Sequence, residues 1–306
     1  MQASLTNTTT SPNRVTLWTA LIAVYLLWGS TYLFVHFMTE QMPPLYMASV
    51  RFLIAGSILY TYARLTGTPN PQPRQWVGAG IAGGLLLTIA NGCMTLTLQY
   101  IPTGIAALLA ATLPVFLLTM NWISFARARP TNLALLGLAL GLLGVFFLIK
   151  PDNLTGTASN HSALIGAGLI VICNLGWALG TLLSPRLTMP APRISSGCQM
   201  LVAGAMLFII SVVFEQTTPF TIMQAPPKAL GSLLYLVIFG SIVGFSAYVW
   251  LAQNAPPQLV STYAYVNPVV AVLLGSAFAG ETLTGQMLVG AAIVLAGVVL
   301  ITMGKK

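Results

Sequence analysis

Residues Gln253–Pro268 read QNAPPQLVSTYAYVNP, and a fainter copy, QYIPTGIAALLAATLP, stands at Gln99–Pro114. Gln253, Pro256 and Pro268 each follow Gln99, Pro102 and Pro114 by 154 positions. Further on, a shift of 153 pairs residues 131–145 with 284–298. Seven of those fifteen positions are identical: Thr131, Leu135, Gly137, Ala139, Leu142, Gly144 and Val145. Shared hydropathy alone does not reproduce the spacing of proline and glycine. The chain therefore contains an internal duplication.

The composition says what surrounds the two copies. Charged residues are 5% of the 306 and hydrophobic residues 57%, with a mean hydropathy of +0.87. Soluble domains carry about 25% charge, so most of this surface must meet lipid instead of water. A helical span takes roughly 20 apolar residues, and the length leaves room for ten such spans and short loops. Ten apolar segments can be counted: 17–38, 44–63, 75–98, 102–124, 131–149, 162–184, 193–213, 229–251, 256–278 and 285–303. Proline pairs and polar runs separate them. The runs are continuous and lack the alternation of a transmembrane barrel. The expected fold is an all-α integral membrane protein with ten transmembrane helices.

Lysine and arginine give the orientation. With the N-terminus in the cytoplasm, the inner segments hold Arg14, Arg64, Arg74, Arg127, Arg129, Arg186, Arg193, Lys305 and Lys306. The outer segments hold only Lys150 and Lys228. This is a strong positive-inside bias, and both termini are expected in the cytoplasm. Five spans per copy is an odd number, so the second copy enters the membrane upside down. Two inverted five-helix repeats follow, with a central site able to face either side. Trp28 pairs with Trp177 under the repeat, and Leu53, Ala55, Gly56 and Leu59 pair with Leu201, Ala203, Gly204 and Leu207. The expected division is a cytoplasmic tail at 1–16, a first repeat at 17–150, an external linker at 151–161 and a second repeat at 162–303.

Polar and aromatic side chains at mid-depth are the candidates for a binding site. Tyr25, Trp28, Tyr32 and His36 share a face of the first helix. They form either a cavity wall or an aromatic packing seam, and His36, nearer the outer end, favours a structural role. Thr88, Asn91, Thr95 and Gln99 make a polar stripe on the third helix, turned to other helices or to a cavity. Asn174 and Trp177 in the sixth helix, and Tyr263, Tyr265 and Asn267 in the ninth, are similar. Pro268 bends that ninth helix near its middle. Arg51 is the one charge deep within a span, which marks either a solute contact or a side chain that snorkels outward. Gly137, Gly141, Gly144, Gly290 and Gly297 allow close helix packing, and a homodimer is the partner such a seam would serve.

Other chemistry is poorly supplied. Asp152 is the only aspartate, and His36 and His161 are the only histidines. No catalytic residue, metal site or cofactor is expected, and no phosphate-cradling glycine loop occurs. The net charge of +8 is scattered between apolar runs, so nucleic acid is not an expected partner. Cys93, Cys173 and Cys198 lack disulfide or metal spacing and read as core residues.

WGSTY at 28–32, RFLIAG at 51–56 and STYAYVNPVVAVLLGSAFAGETLTGQMLVGAAIVLAGVVLI at 261–301 resemble the drug/metabolite transporter superfamily, most closely its ten-helix EamA-domain exporters. The resemblance covers nearly the whole chain. It implies two EamA repeats, a bacterial inner-membrane location and export of small metabolites through a cavity between the halves. It assigns family motif positions to Trp28, Gly29, Arg51, Tyr263, Tyr265, Asn267, Pro268, Gly280 and Glu281. Where many members carry Gly-Glu before the fifth helix, this chain has Ala126-Arg127. A role for that acid could fall only to Glu281, which would also complement a helix dipole.

The reading is a secondary transporter that moves small organic solutes outward by alternating access, with a small-molecule substrate and the lipid bilayer as its partners. Amino acids or related metabolites are the expected cargo. Amphipathic drugs are the alternative, and a non-transporting membrane scaffold is the reading from another class. No span holds an acid in its interior, so flux without obligatory proton exchange is expected.

Overall fold

The computed structural model describes residues 14–40, 42–101, 106, 109–125, 129–148, 160–219, 221–278 and 285–304. Ten long helices run through them: α1 (Arg14–Thr39), α2 (Pro44–Leu65), α3 (Pro73–Thr97), α4 (Leu113–Phe125) and α5 (Asn132–Leu148), then α6 (Asn160–Leu183), α7 (Pro192–Phe214), α8 (Pro227–Asn254), α9 (Tyr263–Phe278) and α10 (Gly285–Met303). No strand occurs among the described residues. Six of these helices (α1, α2, α3, α6, α7 and α8) are long and apolar enough to cross a membrane over at least 18 residues. Residues 151–159 of the expected linker, Asp152 among them, lie outside the described residues, as do Ala126-Arg127, Gly280 and Glu281, while 160 and 161 open α6.

Local sequence sets the ends of the helices. Pro44, Pro73, Pro192 and Pro227 open α2, α3, α7 and α8, where a missing N–H costs nothing and φ is already helical. Gln75 folds back on the start of α3, its Oε1 accepting the Gln72 N–H at 2.8 Å. After α2, Gly67 takes a φ of +86°. Its N–H reaches the Arg64 carbonyl, while the Thr68 N–H reaches Ala63 at 3.0 Å. The chain closes α2 with the left-handed turn that glycine permits. Glu215, just past α7, accepts the N–H groups of Leu45 at 2.8 Å and Tyr46 at 2.9 Å, and so ties α7 to the positive end of α2. Burial pushes its carboxyl above the ordinary carboxylate range, and the two donors pull it part of the way back.

The halves interlock reciprocally. The first helix of each half packs on the third and fourth of the other: α1 on α8 and α9, α6 on α3 and α4. The second helices pair, α2 with α7, and the fifth helices pair, α5 with α10. Glycine makes the last two pairings close. A Cβ on Gly137 would stand 2.7 Å from the Gly297 carbonyl, and one on Gly297 would stand 2.7 Å from the Gly137 carbonyl. Likewise, a Cβ on Gly56 would meet the Leu201 nitrogen at 2.9 Å, and one on Gly204 the Leu53 nitrogen at 2.9 Å. The last two contacts are repeat images of each other, since Gly56 pairs with Gly204 and Leu53 with Leu201. The glycine faces are thus spent between the halves of one chain, and they leave no support for the homodimer that such a seam would serve.

The third helices share an irregularity that the sequence did not announce. Residues 84–91 of α3 and 236–245 of α8 form wide π-helical turns, and the repeat shift of 154 carries the first stretch onto 238–245, within the second. Wide turns of this kind recur at functional sites. Exposed Leu26, Ile58, Val213, Phe214, Leu234 and Val289 are the kind of outer surface that lipid solvates.

Candidate functional site

A cavity of about 130 Å³ lies where the two halves meet. Its wall takes residues from α1, α2, α3, α4, α6, α8 and α9, so neither repeat could form it alone. Nine of the fourteen candidates from the sequence line it: Trp28, Tyr32, Arg51, Asn91, Thr95, Asn174, Trp177, Tyr263 and Asn267; Tyr25, His36, Thr88, Gln99 and Tyr265 do not.

Trp28 sits at the centre of an aromatic cluster. Its ring centroid is 5.4 Å from Trp177 and 5.0 Å from Tyr263, both edge to face, and 5.1 Å from Tyr248. Such geometry sets the positive edge of one ring against the negative face of the next. Trp28 Nε1 donates to the Gly240 carbonyl at 3.1 Å across to the other half. That carbonyl lies within the wide turns of α8. A side chain at Gly244 would crowd the indole, since a Cβ there would be 2.6 Å from Nε1.

The polar wall residues divide by what they already bond. Asn174 Nδ2 donates to the Leu109 carbonyl at 3.2 Å and to Thr112 Oγ1 at 3.0 Å, fastening α6 to the turn before α4. Thr95 Oγ1 donates to the Asn91 carbonyl at 2.8 Å, the usual refuge of a hydroxyl on a helix. Arg51 is buried, and its Nε donates to Ser241 Oγ at 2.7 Å. Asn267 Oδ1 is buried with no hydrogen-bond partner. Pro268 removes the N–H that would have bonded the carbonyl of Ala264, another wall residue.

Tyr265 stands apart from the nine. It is fully buried beside Val145, Val269 and Val294, with its ring against Gly141 and its hydroxyl 3.5 Å from the Leu138 carbonyl. Two residues along a helix turn the side chain about 200°, so Tyr263 and Tyr265 cannot face one cavity. Tyr25 also lies off the wall, bonded to Thr262 Oγ1. His36 is at the end of α1, 3.2 Å from Glu40, which itself pairs with Lys228 at 2.9 Å. That hydrogen bond holds the Glu40 carboxyl below its ordinary range.

Sequence reasoning missed Gly240, Phe245, Thr31, Val35 and Cys173 in the wall, and Tyr248 beside it. Two signals could have found some of them. Thr31 and Val35 share the face of Trp28 at helical spacing, and the shift of 154 that relates Gln99 to Gln253 carries Asn91 to Phe245. The wall is also lopsided. It includes Val35 and Leu98, at the C-terminal ends of α1 and α3. Toward the opposite ends, Tyr25 joins Thr262, and Thr181 joins Tyr248. The cavity leans to the side of Val35 and Leu98.

The sequence matches the EamA-like transporter family twice, over residues 15–150 and over 164–303. It is 39% identical over 289 residues to the inner membrane transporter YedA of Escherichia coli, covering 94% of this chain and 90% of YedA. The transporter YvbV of Bacillus subtilis is 24% identical, with 87% and 85% covered. A WAT1-related chloroplastic protein of Arabidopsis thaliana is 25% identical over 87% of this chain and 64% of its own length. One solved crystal structure superposes with a TM-score of 0.76 at 18% identity, over 95% of this chain and 98% of that one, which speaks for the fold alone. YedA and YvbV are named as transporters and not as enzymes. The chain belongs to the EamA-like transporter family of the drug/metabolite transporter superfamily, and it is a membrane transporter.

Proposed function

We propose that the cavity between the halves is the cargo site, and that the protein exports small organic metabolites, amino acids or related compounds, by alternating access. The observation that carries this reading is a wall shared by both repeats. Helices of both halves build it, and it leans toward the ends of α1 and α3 that carry Val35 and Leu98. Exchanging the roles of two inverted repeats would turn the cavity toward the opposite side. The size favours compact cargo. About 130 Å³ is close to the roughly 150 Å³ cavity that holds a benzene ring, and it is small for an amphipathic drug.

The bacterial cytoplasmic membrane is the proposed location, with both termini in the cytoplasm and the 151–161 linker outside. In that orientation the cavity leans toward the exterior. Cysteines placed at Asn160 and Lys305 of a cysteine-free protein test it. An impermeant thiol reagent applied to intact cells should reach the first and not the second, and labelling at Lys305 would reverse the orientation.

Transport without obligatory proton exchange follows from where the acids are. Glu40 and Glu215, the two among the described residues, sit at helix ends and are bonded there. A proton-coupled carrier instead places an acid within a span. Counterflow of labelled leucine in proteoliposomes, at equal pH on both sides and with a protonophore present, should proceed at an undiminished rate. Uphill uptake that follows an imposed pH gradient would contradict this.

A further inference from the structure

The cavity wall holds a positive charge for which the described residues supply no counter-charge. Arg51 is 6% exposed. Its guanidinium makes one hydrogen bond, from Nε to Ser241 Oγ, and lies 5.1 Å from the Phe52 ring. The described acids are committed elsewhere, Glu40 to Lys228 and Glu215 to the start of α2. Gly240 makes room for the head group, because a Cβ there would stand 2.7 Å from Arg51 Nη2. Taking a charge out of water without a partner is costly, and the fold has shaped a neighbouring helix to allow it.

A second polar atom on the same wall is left open. Asn267 is 3% exposed, and its Oδ1 accepts no hydrogen bond. An unsatisfied buried carbonyl also carries a penalty. A guanidinium offers forked donors that match the two oxygens of a carboxylate. An amide oxygen accepts one N–H or O–H. The wall therefore asks for an anionic carboxylate and a neutral hydrogen-bond donor, and the described residues offer no acid to balance an ammonium.

We propose that Arg51 and Asn267 set the cargo specificity, with Arg51 holding a carboxylate and Asn267 accepting a hydrogen bond from a second group on the same small molecule. The rest of the cargo packs on Trp28, Trp177 and Tyr263. A 2-hydroxy acid satisfies this wall at least as well as the matching 2-amino acid, because its hydroxyl donates without adding a second buried charge. This inference rests on the cavity being the cargo site.

Four compounds with the same isobutyl side chain separate the contributions: leucine, 2-hydroxy-4-methylpentanoate, 4-methylpentanoate and 3-methylbutylamine. The readout is the thermal stabilisation of the purified full-length protein, which only a binder of the folded state provides. The hydroxy acid should bind at least as tightly as leucine and roughly 10-fold tighter than 4-methylpentanoate, the scale of one hydrogen bond. The amine should not bind. Asn267→Leu should remove the advantage of the hydroxy acid over 4-methylpentanoate. Arg51→Gln should weaken every acid by roughly 100-fold or more, the scale of a charge-assisted bond in a buried site, and Arg51→Lys should restore part of that loss.

The wild-type series stands even if a variant fails to fold. Equal binding of amine and acid, or no stabilisation by any of the four at millimolar concentration, overturns the proposal. So does an Arg51→Gln protein that melts normally and binds the acids unchanged. Leucine counterflow run in parallel keeps the two ideas apart. Flux alongside a failed series removes the role of Arg51 and leaves the carrier reading standing.

Discussion

Trp28→Ala is expected to cut transport per folded molecule by roughly 30-fold or more, the effect of losing a buried aromatic anchor worth about 2 kcal/mol. The indole touches three rings, those of Trp177, Tyr248 and Tyr263, and bonds to Gly240 in the other half. It is thus the piece of wall on which both repeats converge. Truncation enlarges the cavity and frees a carbonyl within the wide turns of α8. Trp28→Phe is the informative companion, since it keeps a ring and loses only the Nε1 donor. Its loss should be several-fold smaller. Initial rates of leucine uptake, divided by the amount of monodisperse protein recovered, provide the measurement. Normal rates in an abundant Trp28→Ala protein would reduce the cluster to packing.

Gly297→Val should be the most damaging single change outside the cavity. A Cβ at Gly297 would lie 2.7 Å from both the Gly137 carbonyl and the Gly141 nitrogen, and neither backbone atom can swing aside. The α5–α10 pairing must part to admit the side chain. In lipid that pairing rests on close packing, with no hydrophobic drive to restore it. Overpacking typically costs 1–3 kcal/mol, and more against backbone, so membrane abundance and melting temperature should both fall. Gly168→Val is the control, because a Cβ at Gly168 meets nothing within 4 Å. The control should express and melt as the parent does. Equal behaviour of the two variants would mean that the fifth helices do not hold the halves together.

How far the sequence went depends on what each feature needs. The ten helices were readable because each is a local run of apolar residues punctuated by proline, and eight of them keep the expected bounds within a few positions; α4 begins at Leu113 and α9 at Tyr263, later than the expected 102 and 256. The interlocking of the halves was readable as an expectation, since duplication plus an odd number of spans leaves inversion as the geometry. Within the site, single-helix stripes worked where helical spacing was respected. Trp28 and Tyr32 lie four residues apart and both reach the cavity. Tyr263 and Tyr265 lie two apart, and only the first does. Depth alone put both tyrosines among the candidates, and rotation about the helix separates them.

The wide turns of α3 and α8 had no signature in composition. They insert an extra residue per turn, a matter of backbone hydrogen bonding that apolar sequence does not encode. The glycines were visible, but their partners were not. Choosing between an internal seam and a dimer contact requires knowing which helix lies opposite. Arg51 shows the same boundary. Its charge and depth could be read from the chain, while the absence of a described acid beside it depended on the tertiary arrangement.

Alternating access is the central claim, and the accessibility of one wall position from the two membrane faces tests it most directly. Asn91 lines the cavity on α3 and makes no side-chain bond that a substitution would break. A cysteine placed there, in a protein otherwise free of cysteine, should react with an impermeant maleimide in right-side-out vesicles and also in inside-out vesicles. Leucine should slow both reactions. Labelling from one face only, with the other unreactive even under counterflow conditions, would mean that the cavity is a fixed pocket and that the halves do not exchange roles.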